Sequence, residues 1–222
     1  MSLIFPEFNQ ISNIEEIKYV LGLDLSTVST GMVLYDVRGD IALESWALRY
    51  KSEDKNKIYE MGNCITKLFE AWVEKYNIKK NNLLFAKEKQ PIQYGMKTTI
   101  MTLVSIAKLH GLVEKYAYDN KIMVVDIAVP TIRKTVLGKA KAEKEEMFEF
   151  INSHFTECLL DKRAGGADMA DAIAVCLSAK GSLVKDIEEN IKELKKLKRK
   201  YKTAKKRESI ENQIKELRKV IE

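Results

Sequence analysis

Two apolar runs that each close on a carboxylate, YVLGLD ending at Asp24 and LLFAKE ending at Glu88, constrain this chain more than any other feature. A charge at the end of a buried strand loses its water unless it is paired or holds an ion. The segments around these runs set their place in a fold. Residues 18–25 and 31–36 flank a Ser/Thr turn and read as a β-hairpin, with Gly31 expected to let the chain turn back. Residues 41–50 read as a third strand. Ile58, Met61, Ile65, Phe69 and Trp72 recur at helical spacing, so 54–76 is expected to be a helix. The Asn81-Asn82 turn then leads into LLFAKE. A long helix is expected over 94–118 and a strand over KIMVVDIA, 121–128. Two or three further helices are expected, around 131–137, 142–155 and 167–179. Three strands, helix, strand, helix, strand and helices predict an α/β fold. Its sheet is mixed, antiparallel at its start and parallel afterwards, with helices on its faces.

Strand alternation places Lys87 on the face opposite Ala86 and Glu88, under a helix, where its ammonium needs water or a partner. At 222 residues and 45% hydrophobic content the chain supports one cored domain and an appendage. The division is expected at 1–182 and 183–222. The net charge of +6 is concentrated in the second part, which holds 14 Lys+Arg against 8 Asp+Glu, while the rest is balanced at 24 against 24. Ile187, Ile191, Leu194, Leu197 and Tyr201, then Ile210, Ile214, Leu217 and Ile221, mark two helical stripes. A basic helical hairpin or coiled coil with an anionic partner is the expectation for this tail. The apolar runs are too short to span a bilayer, and the N-terminus lacks a signal-peptide pattern. Three cysteines and two distant histidines argue against a zinc site, a His-based triad or a disulfide framework. A reducing, cytoplasmic setting is expected.

Asp168 and Asp171 in GGADMADAIAV lie three apart, on one face of a helix beside an apolar stripe. Singly, each acidic residue has an ordinary explanation. Asp168 suits a helix start, Asp24 suits a turn, and a strand-end Glu is common. Together, two strand ends and one helix face can bring four carboxylates to one sheet edge. Such a cluster repels itself without cations, and hard divalent ions prefer all-oxygen ligands.

In order along the chain, GLDLSTVSTG, FAKE, IRKTVLGKAKAEK and GADMADAIAV resemble the signature regions of the RuvC-type Holliday-junction resolvases. The resemblance runs from about Tyr19 to Lys180. It implies an RNase H-like five-stranded sheet and two-metal hydrolysis of branched DNA, leaving 5′-phosphate and 3′-hydroxyl ends. It implies Asp24, Glu88, Asp168 and Asp171 as ligands of two Mg²⁺ or Mn²⁺ ions, and Lys144 as a catalytic cation. Arg133 is implied as a phosphate contact; Lys134, Lys141, Ser26 and Thr27 are expected to contact DNA as well, and Tyr94 is the nearest candidate for a family aromatic that has no clear match here. Two symmetric nicks imply a homodimer. The chain departs from the cellular pattern where Asp-Leu-Ser replaces Asp-Pro-Gly, and in its basic tail. Both departures suit a divergent, phage-borne member acting in a bacterial host's cytoplasm. Competing readings are a related nuclease acting on structured RNA or other branched DNA, a non-catalytic junction-binding protein, and an actin-like phosphotransferase. The last needs a second nucleotide-binding domain that the motifs do not provide, and no nucleotide cofactor is expected.

Overall fold

The alternation of strand and helix periods resolves into one five-stranded sheet with helices on both faces. The computed structural model describes residues 16–49, 56–90, 99–155, 165–200 and 204–221. Its elements are β1 (Tyr19–Asp24), β2 (Ser29–Asp36), β3 (Ile41–Arg49), α1 (Lys57–Lys75), β4 (Leu83–Glu88), α2 (Ile100–Asp119), β5 (Met123–Ile127), α3 (Val129–Leu137), α4 (Lys144–His154), α5 (Gly166–Lys200) and α6 (Ala204–Ile221). The strand order is β3-β2-β1-β4-β5. β1, β2 and β3 form an antiparallel meander, while β4 runs parallel to β1, and β5 to β4. This is the mixed sheet that the sequence predicts.

Alternation along β1 divides its side chains between two environments. Leu21 and Leu23 face the larger core, where they join Phe85 of β4, Phe69 of α1 and Val113 of α2. Phe69 meets Phe85 edge to face at 4.9 Å between ring centroids. Full burial of each such side chain contributes roughly 1.5–3 kcal/mol. Gly22 lies on the other face, under α5. A Cβ at Gly22 would stand 2.4 Å from the carbonyl oxygen of Ala172 and 2.4 Å from Cys176 Sγ. Small residues on both sides let α5 lie directly on the sheet, which brings its acidic first turns to the ends of the strands.

Lys87 is on the α2 face and is 1% exposed. Its ammonium reaches Glu114 of α2 at 2.8 Å and Asp126 of β5, its register neighbour. It also lies 3.1 Å from His110 Nδ1. Because an ammonium only donates, His110 accepts through Nδ1 and carries its proton on Nε2. Burial, then the Lys87 charge, holds the His110 pKa below its ordinary value. The partner that the sequence required is therefore a pair of half-exposed carboxylates. Lys87→Ala is expected to cost about 2–4 kcal/mol in urea unfolding, through the cavity and the broken pairs. Lys87→Met keeps the buried stem and should recover most of that loss.

Two elements differ from the sequence expectation. α2 starts at Ile100, where the Thr99 side chain caps it by accepting from the Thr102 backbone N–H. Residues 91–98, including Tyr94, lie outside the described residues. α5 does not stop near 179. The Gly181-Ser182 pair looks like a stop, but Leu183, Ile187 and Ile191 carry the buried stripe onward at four-residue steps. Two compact units result, Ile17–Ala179 with the sheet, and a smaller one that takes in Lys180–Glu222. In the smaller unit Ile187 and Ile191 of α5 pack with Ile210, Ile214 and Leu217 of α6. No described helix is long and apolar enough to cross a membrane.

Candidate active site

Strand register places the first two carboxylates side by side. Leu23 of β1 pairs with Lys87 of β4, so the next residues, Asp24 and Glu88, end adjacent parallel strands on the α5 face. The other two arrive on α5. A Cβ at Gly31 of β2 would lie 1.9 Å from the Asp168 carbonyl oxygen, so the start of α5 rests against the β2 backbone. Gly31 sits inside β2, paired with Asp24 and Ala47. The expectation that it serves a turn is thus corrected: its lack of a side chain admits a helix. Ser29 Oγ donates to Asp168 Oδ2 at 2.6 Å and ties that carboxylate to the strand. The sequence offered no signal for this contact beyond a serine in a turn.

The electrostatics tie the four acids to one locus. Asp24 is raised from 3.8 to about 7, first by burial, then by the charges of Asp171 and Glu88, with a smaller push from Asp168. Burial and then Asp171 raise Glu88 as well. Asp171 is also raised, by burial first, even though Lys144 opposes the shift. Lys144 Nζ stands 2.5 Å from Asp171 Oδ2. Burial alone would lower the Lys144 pKa, but the Asp171 contact and the nearby Asp24 and Asp168 charges raise it. Lys144 opens α4, which aims its long stem from an exposed position back at the acids. Arg133 on α3 is half-buried and lowers both Glu88 and Asp171.

The other described residues singled out by sequence lie on the surface of the helices and their connection or in the β1–β2 turn. Lys134 and Lys141 are exposed, on α3 and between α3 and α4. Ser26 Oγ donates to the Ser29 carbonyl at 2.5 Å and accepts from the Ser29 N–H at 3.0 Å, so it closes the β1–β2 turn. Thr27 is half-buried in that turn. Thr30 is fully buried, its hydroxyl near the Ser26 carbonyl and Met61 Sδ.

The donor set suits a hard divalent cation in kind. It consists of carboxylate oxygens alone, and burial first, then the charges of neighbouring acids, raises Asp24 and Glu88, a penalty that a cation would relieve. Among the described residues, no three His, Cys, Asp or Glu side chains stand grouped as a ready-made metal cage.

Comparison with known proteins adds to this geometry. No family model matches the chain. A crossover junction endodeoxyribonuclease RuvC of Prochlorococcus marinus (strain MIT 9312) is 24% identical over 163 residues, which cover 72% of this chain and 94% of that protein. The chain is thus similar in sequence to a RuvC over most of its length. The Thermus thermophilus RuvC structure matches it with a TM-score of 0.54 at 17% identity, covering 72% of this chain and 92% of that one. T. thermophilus RuvC in complex with a Holliday junction substrate gives 0.56 at 16% identity, with the same coverage. The yeast mitochondrial Holliday junction resolvase Ydc2 gives 0.53 at 15%, covering 78% of this chain and 85% of that one. These likenesses establish the RNase H-like RuvC fold for the sheet and its helices.

Proposed function

We propose that this RuvC-like chain is a metal-dependent, structure-selective endodeoxyribonuclease that resolves four-way DNA junctions. What supports the reading is that Asp24 and Glu88 end adjacent strands, that Asp168 and Asp171 ride on the helix packed against β2, and that Asp24 feels the charge of the other three acids. The sequence relative that spans most of the chain is a crossover junction endodeoxyribonuclease, which supports the same conclusion.

Asp24, Glu88, Asp168 and Asp171 would hold Mg²⁺ or Mn²⁺, two ions per site. When bound, the ions supply an activated water and stabilise the departing 3′ oxygen, leaving 5′-phosphate and 3′-hydroxyl ends. The chain's own residues do the rest. Asp24 lies centrally between Glu88 and the α5 acids and serves both. Ser29 holds the Asp168 carboxylate in place. Lys144, paired with Asp171 in the free protein, turns its ammonium to the scissile phosphate and offsets charge growing there. Arg133, Lys134 and Lys141 meet the neighbouring DNA backbone, with the Ser26-Thr27 turn nearby, and Tyr94 is a further DNA contact. Ser26, already committed to its turn, donates little. Two opposed nicks call for a two-fold dimer, and the reaction belongs in the cytoplasm.

The test is cleavage of matched four-way, three-way, flap, linear duplex and structured RNA substrates, with Mg²⁺, with Mn²⁺ and in EDTA. Paired symmetric nicks in the four-way junction, with either ion and none in EDTA, are expected. Equal cutting of linear duplex, preferential cutting of RNA, or cutting in EDTA would overturn the reading.

A further inference from the structure

The two sides of the C-terminal helical unit carry opposite charge. α6 folds back along the last turns of α5, and one groove between them is lined by Lys195, Lys198, Arg199, Arg207 and Arg218, with Glu211 its one carboxylate. Ile214 forms its floor. On α6, Arg207, Glu211, Ile214 and Arg218 follow one another at steps of four, three and four, a single stripe of the helix. The stripe rises about 16 Å at 1.5 Å per residue. Glu211 is ion-paired to Lys198 across the groove, which leaves a cationic surplus on this side. The opposite groove carries the carboxylates of Glu193, Glu208 and Glu216 against the single ammonium of Lys205. A merely solvated pair of helices needs no such division.

We propose that the basic groove docks the phosphate backbone of duplex DNA, as a second contact separate from the carboxylate site. Duplex DNA presents one negative charge per about 1.7 Å of its axis. A basic stripe about 16 Å long therefore faces a polyanion over several phosphates. A membrane surface fits poorly. An interfacial helix needs a free apolar face, and Ile187, Ile191, Ile210, Ile214 and Leu217 are spent on one another. A second copy across a two-fold axis fits poorly too, because this groove would meet its own cations. The nuclease body has no net charge to attract DNA from a distance, since the whole surplus of +6 lies in residues 183–222. The groove therefore raises the local DNA concentration at an otherwise neutral domain.

The test uses the full chain with Lys195→Gln, Arg199→Gln, Arg207→Gln and Arg218→Gln together, leaving the Lys198–Glu211 pair intact. Binding to plain duplex and to a four-way junction is measured in EDTA from 50 to 300 mM salt, so the result does not depend on cleavage. Affinity should fall tenfold or more, and the slope of log K against log salt should shrink by about 3–4, near 0.9 per lost contact. Exchanging Lys for Arg and Arg for Lys at the same four positions should leave both values near the original. That variant separates lost charge from lost folding. Glu193→Gln with Glu208→Gln and Glu216→Gln on the far side should leave the slope unchanged. An unchanged slope in the four-Gln protein overturns the proposal. So does loss of affinity in the Lys/Arg exchange, or binding to phosphatidylserine vesicles that depends on the four residues while DNA binding does not.

Discussion

Asp24→Asn is expected to reduce junction cleavage by about a thousandfold or more, equivalent to about 4 kcal/mol of lost transition-state stabilisation, while leaving junction binding intact. The same substitution should make the metal-free protein more stable near pH 8. The native fold holds Asp24 at about 7, against an ordinary 3.8, because burial and the charges of Asp171 and Glu88 penalise its ionised form. A carboxyl whose folded pKa is raised binds more protons in the native state, so its contribution to stability is full below the unfolded value. That contribution falls as the pH climbs between about 4 and 7, and at about 1.4 kcal/mol per unit it amounts to roughly 2–4 kcal/mol. An amide has no charge to desolvate. Thermal melts of the two proteins should therefore coincide near pH 4 and separate by pH 8, the Asn protein higher. Adding Mg²⁺ or Mn²⁺ at pH 8 should stabilise the wild type and close part of that gap. A mutant that nicks at the wild-type rate would remove Asp24 from the reaction. A mutant no more stable at pH 8 would mean that neither burial nor the neighbouring acids penalise the ionised Asp24.

Those acids were within reach of sequence reasoning because each sits at a boundary that periodicity marks. Asp24 and Glu88 end apolar runs, and Asp168 and Asp171 share a helix face at three-residue spacing. The element order and the mixed sheet followed from the same local signals. What escaped was non-local. That Ser29 holds Asp168 requires the chain to bring together residues 139 positions apart. Lys87 announced a need for a partner, but no spacing names Glu114 and Asp126, which reach it from a different helix and strand. The continuity of α5 past Gly181 was hidden for the opposite reason. A local helix breaker is visible in sequence, while the apolar stripe that overrides it is stabilised by packing among Ile187, Ile191 and residues of α6.

Gly31 shows how far such a non-local constraint reaches into the site, and Gly31→Ala is the largest destabilisation expected from a single added methyl. Glycine in a strand ordinarily weakens it, so an alanine at a tolerant position would gain stability. Here the new Cβ would lie 1.9 Å from the Asp168 carbonyl oxygen, 2.5 Å from its carbon and 3.2 Å from the Met169 nitrogen. All three are backbone atoms, so no side chain can rotate away. Either β2 bends or the first turn of α5 lifts off the sheet. Overpacking in a core costs about 1–3 kcal/mol when side chains can adjust; against fixed backbone the expected cost is about 3–5 kcal/mol, read as a drop in the urea midpoint. The site should fail before the fold does. Lifting α5 moves Asp168 off Ser29 and separates both helix acids from Asp24 and Glu88, so cleavage falls more steeply than stability at temperatures where the protein remains folded. Gly39→Ala is the control. A Cβ there would come no closer than 3.3 Å, to a side-chain atom of Asp36, so melting and cleavage should both stay near the wild type. If Gly31→Ala melts and cleaves like that control, α5 does not rest on β2, and the route by which Asp168 reaches the strand ends is wrong.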